Sequence, residues 1–145
     1  MKKEIVAKKG VAAIGPYSPG IVLGDLIFCS GHIGVDPKTK EFVKGAIEEQ
    51  TRQALTNLEY VLEEAGGSLQ TILKTTVYLK SMDDYGKMNE VYASFFQKPY
   101  PARATVQVAK LPKDALVEID AVAYITRPMA HEEGGCGCGG NCGCS

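Results

Sequence analysis

The sequence predicts a single α+β domain, a mixed β-sheet with two helices packed on one of its faces. Three observations support this fold class: β-rich segments recur, two amphipathic helical stripes separate the later ones, and Gly, Pro and Asp mark the junctions. The predicted order is β, β, β, α, β, α, β, β. With 145 residues, 45% of them hydrophobic, the chain can bury one core without disulfide support.

The first part of the chain is predicted to hold three short strands. Residues 4–7 form a strand candidate, and residues 13–20 (AIGPYSPG) contain two prolines and two glycines, which exclude regular structure. Residues 21–30 contain two β-rich runs around Gly24-Asp25, which is a strong hairpin signal. A rigid loop therefore precedes a hairpin.

Two helical stripes follow, each with identifiable ends. From Ile47 the apolar side chains show the i, i+7, i+8, i+11 spacing of an amphipathic helix, and Gly66-Gly67 ends it. Ser81 is the predicted N-cap of the second helix, with two aspartates in its first turn, and Pro99 and Pro101 lie beyond its end. Between the helices, residues 72–80 alternate as a strand.

In that strand, Leu73, Val77 and Leu79 are predicted to share one face. The two helices can cover only one face of the sheet. Apolar side chains are also expected on the uncovered face, at Phe28, Tyr78, Leu116, Val122 and Tyr124. Because monomers seldom expose such a surface, the chain is expected to form oligomers through its sheet.

The last two strands are predicted to carry the chemistry. Leu111-Pro112-Lys113-Asp114 reads as a turn, so its flanks are expected to form an antiparallel hairpin. Alternation turns Glu118 away from the Val117/Ile119 face. In this hairpin Glu118 falls opposite about Gln107, and Arg103 lies roughly 13 Å away, too far for one small acid to touch both.

Four motifs in order resemble the RidA (YjgF) family of reactive-intermediate deaminases: IGPYSPGI, FCSGHIGVDPKT, PARATVQVAKLPKD and VEIDAVA. The similarity covers roughly residues 4 to 127. It implies a chorismate-mutase-like fold and a homotrimer with sites between subunits. The implied reaction is hydrolysis of 2-enamine and 2-imine acids, such as 2-aminoacrylate and 2-iminobutanoate, to 2-keto acids and ammonia.

The residue types suggest how a site of this kind works. Arg103, one of three arginines, can grip a carboxylate with two parallel hydrogen bonds. Glu118 can polarise a water and pass a proton to the departing nitrogen. The resemblance adds Tyr17 as a third catalytic residue. It also assigns substrate binding to Gly31 and Asn89. The backbone N–H of Thr105 can add a second donor beside Arg103, and some family members carry cysteine in place of Thr105.

The expected reaction needs neither metal nor organic cofactor, because an imine is already electrophilic. Two other functions stay open. Relatives described as translation inhibitors with ribonuclease activity suggest nucleic-acid cleavage, which the net charge of -1 disfavours. A non-catalytic module that binds carboxylate metabolites through Arg103 is the other, although a binder of anions gains nothing from Glu118.

The five cysteines fall into two groups. Cys29, in an apolar strand, is expected to be a small buried hydrophobe in a reducing compartment. The expected organisation is a RidA-like domain over residues 1–128 and a flexible Gly/Cys-rich tail over residues 129–145. In the tail, Cys136, Cys138, Cys142 and Cys144 suit Zn²⁺ or Cu⁺, dithiol redox chemistry, or no fixed role. Without a signal peptide or membrane span, a cytoplasmic location is expected.

Overall fold

A computed structural model describes residues 1–126, which form six strands and two α-helices in the predicted order. The elements are β1 (Lys3–Ile5), β2 (Gly20–Leu23), β3 (Leu26–Ile33), α1 (Ile47–Ala65), β4 (Ile72–Leu79), α2 (Tyr85–Phe95), β5 (Ala102–Gln107) and β6 (Val117–Tyr124). One sheet contains all six strands in the order β1-β2-β3-β6-β4-β5. The β4–β5 pair is parallel and the other pairs are antiparallel, so the sheet is mixed.

The helix ends follow the sequence signals. Gly66 caps α1 with a left-handed φ of 88°, a conformation that glycine adopts without a steric penalty. The Ser81 hydroxyl accepts a hydrogen bond from the Asp83 N–H at 3.1 Å. This cap opens a short 3₁₀ turn, Met82–Asp84, that leads directly into α2. None of the helices within residues 1–126 is long and apolar enough to cross a membrane.

Both helices pack on the same face of the sheet and form one core with it. Its fully buried side chains come from both helices and from alternate positions of the central strands: Ile27, Leu55, Leu58, Leu62, Val77, Leu79, Met88, Val117 and Ile119. The alternation predicted for β6 is confirmed, because Val117 and Ile119 are buried while Glu118 between them is half-buried.

The opposite face of the sheet carries the predicted apolar side chains. Phe28 and Tyr124 are each 41% exposed, and Val106, which pairs with Tyr78, is 43% exposed. Tyr78 and Val122 are half-buried on this face. Leu116 differs from the prediction: it precedes β6 and packs against the core.

The predicted hairpin between β5 and β6 is wrong, because β4 lies between them. The connection passes round the end of β4, where the Val108 N–H donates to the Leu79 carbonyl and the Lys80 N–H donates to the Leu116 carbonyl. As a central strand with a buried face, β4 needs hydrogen-bonding partners along both edges. It pairs with β5 in parallel and with β6 antiparallel, so the chain reverses without making neighbours of the two strands.

The predicted face of β4 is corrected at one position. A register shift between Ile72 and Lys74 turns Leu73 outward, where it is 47% exposed, and places Ile72 in the core. Beyond this irregularity Thr75, Val77 and Leu79 continue the buried face. The core therefore begins one residue earlier on β4 than simple alternation predicts.

Candidate active site

A cavity of about 440 Å³ lies where the loop before β2, the end of β3 and the turn before β6 come together. Tyr17 comes from the loop, Gly31 from β3 and Glu118 from the start of β6, and all three line the cavity. Tyr17 is 55% exposed. Three of the predicted site residues therefore meet, although they are far apart in the sequence.

The side chain of Glu118 packs closely against the backbone of Gly31. Gly31 occupies the break in register between Cys29 and His32, where β3 bulges against β6. A Cβ atom at Gly31 would lie only 2.5 Å from Oε1 of Glu118, so a larger residue would displace the carboxylate. The glycine lets this carboxylate lie over the backbone of β3.

The surroundings of Glu118 favour its protonated form. Burial raises the pKa of the Glu118 carboxyl, and the negative charge of Asp120 raises it further. Asp120 lies two positions along on the same face of β6, where it accepts hydrogen bonds from the Tyr78 hydroxyl at 3.2 Å and the Thr76 N–H at 3.1 Å. A carboxyl with a raised pKa is better suited to exchange protons near neutral pH.

His32 also lines this cavity, although its side chain is almost completely buried. Its side chain is 8% exposed and its Nε2 has no hydrogen-bond partner among the described residues. Burial lowers the pKa of His32 to about 4, against the opposing effect of a hydrogen bond to the Pro19 backbone. The imidazole is therefore neutral at physiological pH.

A second cavity, of about 320 Å³, holds Arg103 between β5 and α2. Asn89 lines it as well, together with Tyr92, Ala93, Tyr100 and Pro101. The guanidinium carbon of Arg103 lies 4.7 Å from the centre of the Tyr92 ring. Arg103 Nη2 donates a hydrogen bond of 3.1 Å to the Tyr85 hydroxyl.

Arg103 and Glu118 lie on opposite faces of the sheet. Arg103 pairs with Thr75, which is buried on the helix side, whereas Glu118 pairs with Tyr78 on the uncovered side. The two positions are three residues apart along β4 and two strand spacings across the sheet, a backbone separation of about 14 Å. One small acid cannot touch both groups within a single chain.

Thr105 is on the same face as Arg103 but lines neither cavity. Its hydroxyl is buried and has no hydrogen-bond partner among the described residues. The predicted substrate contact was through the Thr105 backbone, and it stays a prediction. The Cys29 thiol is buried in β3, and burial raises its pKa to about 12, so it is an inert part of the core, as expected.

No group of three or more His, Cys, Asp or Glu side chains within residues 1–126 could hold a metal ion. The four cysteines predicted as metal ligands, at positions 136, 138, 142 and 144, lie outside the described residues.

Comparison with known proteins identifies the family. Residues 7–125 match the family model Ribonuc_L-PSP, described as Endoribonuclease L-PSP. The chain belongs to this family, the RidA (YjgF) family. A RutC family protein of Pyrococcus horikoshii is 52% identical over 124 residues, which cover 86% of this chain and 98% of the relative. The 2-iminobutanoate/2-iminopropanoate deaminase of Mus musculus is 44% identical over 123 residues, covering 85% and 91%.

Solved structures of the RidA family share the fold. RidA from an Antarctic Psychrobacter superimposes with a TM-score of 0.82 at 41% identity, covering 85% of this chain and 99% of that one. Escherichia coli TdcF with bound serine gives a TM-score of 0.81 at 40% identity, covering 86% and 99%. The predicted RidA-like α+β fold is confirmed.

Several residues that contact the predicted site residues were not themselves predicted from the sequence. Tyr85 and Tyr92 follow the apolar spacing expected of the second helix, yet both contact Arg103. Their spacing from each other and from Asn89, i, i+4, i+7, was the available signal, because it places all three on one helix face. Asp120, two positions from Glu118 on one strand face, could have been found by the same kind of counting.

Proposed function

We propose that this protein hydrolyses 2-imino acids and their enamine tautomers to 2-keto acids and ammonia, in a site that two subunits complete. The observation that carries the proposal is the placement of Arg103 and Glu118 in separate cavities on opposite faces of one sheet. A substrate that needs both groups must take them from two chains. The deaminase name of mammalian relatives supports the reaction class.

Arg103 binds the substrate carboxylate in this proposal. A guanidinium has five N–H donors, and the hydrogen bond to Tyr85 uses only one of them. None of the ion pairs found within residues 1–126 involves Arg103. Asn89 lines the same cavity and supplies an amide, while the Thr105 backbone is proposed as a further donor. These contacts orient C2 of the substrate toward the neighbouring subunit.

Glu118 acts as the general base and then as the general acid. It accepts a proton from a water molecule whose oxygen bonds to C2 of the imine, forming a carbinolamine. This first proton goes to the imine nitrogen, which becomes the NH2 group of the carbinolamine. Glu118 then transfers the proton of the carbinolamine hydroxyl to the same nitrogen, the C2=O double bond forms as the C–N bond breaks, and ammonia leaves with the 2-keto acid behind. The raised pKa of Glu118 supports both proton transfers. Gly31 leaves room for the carboxylate, and Tyr17 lines the same cavity.

The proposed reaction uses no cofactor, since water and one carboxylate balance every atom and proton. A metal ion at the C-terminal cysteines is proposed separately and has no part in these steps. The homotrimer is likewise a proposal, and the exposed apolar residues Phe28, Val106 and Tyr124 are the surface available for it.

Mixing two inactive variants tests the shared site. Arg103→Ala and Glu118→Gln chains are refolded together in equal amounts, and hydrolysis of an imine generated by an amino-acid oxidase is followed. About a quarter of the interfaces then combine a wild-type Arg103 with a wild-type Glu118, so activity should return to about a quarter of the wild-type level. The matched control mixes Arg103→Ala with the double variant, which restores no site. Verified mixed oligomers without activity would place both residues in one chain's site.

The binding module and the ribonuclease remain the competing functions. The family description favours the ribonuclease. Incubating the purified protein with RNA, beside the imine assay, separates the classes. RNA cleavage that survives Arg103→Ala, together with no imine hydrolysis by the wild type, would replace the proposed function. Keto-acid binding without turnover would instead indicate the binding module.

A further inference from the structure

The Arg103 guanidinium sits in an aromatic clamp formed by α2. The ring of Tyr92 lies 4.7 Å from the guanidinium carbon and the ring of Tyr85 lies 5.7 Å from it. The Tyr85 hydroxyl also accepts the hydrogen bond from Nη2. Because the two tyrosines are seven residues apart, two helical turns bring them onto one face of α2 above β5.

The lower part of the clamp is itself firmly held. Tyr92 is only 4% exposed, its hydroxyl bonds the Thr75 hydroxyl at 2.8 Å, and its ring packs on Phe96 at 4.5 Å between centroids. Burial raises the pKa of the Tyr92 phenol, more than the Thr75 hydrogen bond and the Arg103 charge lower it, so the ring stays neutral. Tyr92 is therefore the buried part of the clamp, and Tyr85, 37% exposed, is its solvent-facing part.

We propose that Tyr85 and Tyr92 are positioning residues that fix the plane of the Arg103 guanidinium, so that its free edge meets a flat monocarboxylate. A free arginine side chain loses considerable rotamer entropy when it binds an anion. The clamp restricts the arginine side chain before the ligand arrives, so that less rotamer entropy is lost on binding. The attraction between the cation and the rings helps to hold the side chain in this position. The inference rests on the proposed function, because it assumes that Arg103 binds the substrate carboxylate.

The test measures binding of 2-oxobutanoate, an unreactive keto acid, by calorimetry, beside the kinetics of imine hydrolysis. Tyr92→Leu should weaken keto-acid binding about tenfold, the size expected for a partly buried cation–π contact. KM should rise by a similar factor while kcat changes little, because the clamp serves substrate and transition state alike. Tyr85→Phe should cost about threefold, since it loses one hydrogen bond and keeps its ring.

Conservative variants separate positioning from general stability. Tyr92→Phe loses the Thr75 hydrogen bond and should lower the melting temperature, yet it keeps the ring and should bind keto acid within about twofold of the wild type. Tyr60→Phe on α1 removes a hydroxyl elsewhere and is the matched control. If Tyr92→Leu does not fold, Tyr85→Leu at the exposed position takes its place. Equal losses for Tyr92→Phe and Tyr92→Leu would overturn the proposal.

A double-mutant cycle with Arg103→Ala shows whether the tyrosines act through the arginine. In the Arg103→Ala background, Tyr92→Leu should have no further effect on keto-acid binding, because nothing remains to be positioned. Additive losses would overturn the clamp and leave the role of Arg103 intact. If Arg103→Ala alone leaves binding unchanged, the carboxylate assignment of the proposed function fails, and the clamp's function fails with it.

Discussion

The two cavities of this molecule are built in different ways. The Arg103 cavity lies between one strand and one helix, and the residues that touch the guanidinium follow from the helical period. The Glu118 cavity is lined by a loop, a bulged strand end and a turn, whose members are related by no period. Regular elements position the group proposed to bind, and irregular backbone surrounds the group proposed to react.

If one cavity binds the substrate and the other carries out the reaction, a single substitution in each should affect binding and turnover differently. Arg103→Ala and Glu118→Gln have the largest expected effects. Arg103→Ala should abolish hydrolysis and weaken keto-acid binding about 10- to 100-fold, because the charged partner of the carboxylate is gone while Asn89 and the Thr105 N–H remain. Glu118→Gln should retain keto-acid binding and lose about 10²- to 10⁴-fold in kcat, the usual contribution of a general acid–base group. Calorimetry and the coupled oxidase assay measure the two quantities. Equal loss of binding in both variants would remove the distinction between the cavities.

Much of the fold is predictable from local patterns because those patterns report on local geometry. The stripe from Ile47 to Gly66-Gly67 marked α1, and alternation in β6 turned Glu118 away from the core. The pairing of β5 with β6 was wrong since a turn signal reports that the chain reverses, not which strand becomes the neighbour. Strand order depends on long-range packing, which a period of two does not encode.

The candidate site shows the same limit. Arg103 and Asn89 share a cavity, and the residues that α2 contributes to it can be predicted from their helical spacing in the sequence. Tyr17 and Glu118 are distant in the chain, and no periodicity connects them, so only the family motifs brought them together. The bulge at Gly31 has a local signal, a glycine at a strand end, but its contact with Glu118 depends on the register between β3 and β6.

Gly31→Ala tests how closely the cavity around Glu118 is packed, because it adds one Cβ atom beside the carboxylate. The added Cβ would lie 2.5 Å from Glu118 Oε1 and 2.7 Å from its Cδ, so the carboxylate must move. We expect kcat to fall about 10²-fold, as a displacement of about 1 Å can cost a reacting group, with keto-acid binding nearly unchanged. Gly86→Ala in α2, where nothing lies within 4 Å of the new Cβ, is the matched control. A fully active Gly31→Ala protein would contradict the close packing of this cavity.

Asp120→Asn should shift the pH dependence of hydrolysis. The groups around Glu118 are Asp120 on β6, Tyr78 on β4, the neutral His32 on β3, Tyr17 in the loop and Lys113 in the turn. Burial and the charge of Asp120 raise the pKa of Glu118, and in the proposed mechanism the carboxylate form takes the proton from water. Wild-type activity should therefore be lost as pH falls through the raised pKa. Removing the Asp120 charge lowers that pKa, so activity should persist to more acidic pH.

The measurement for Asp120→Asn is the acid limb of kcat/KM, which reports groups of the free enzyme. Asp83→Asn, an exposed aspartate before α2, should leave the limb where it is. An acid limb that stays fixed in Asp120→Asn, or moves to higher pH, would mean that Glu118 does not set the pH dependence.

Removal of residues 134–145 should have the smallest effect on hydrolysis, none that the oxidase-coupled assay detects. This segment lies beyond the family match, which ends at residue 125, and holds four cysteines in the pattern C-x-C-x₃-C-x-C. Thiolates are soft ligands for Zn²⁺ or Cu⁺, so elemental analysis should find metal in the full chain and none after truncation. A full-length variant in which serine replaces all four cysteines shows whether metal is lost because the thiolates are gone or because the segment is missing. Metal that persists in that variant would contradict a site at these cysteines, and lost hydrolysis after truncation would tie the tail to the two cavities.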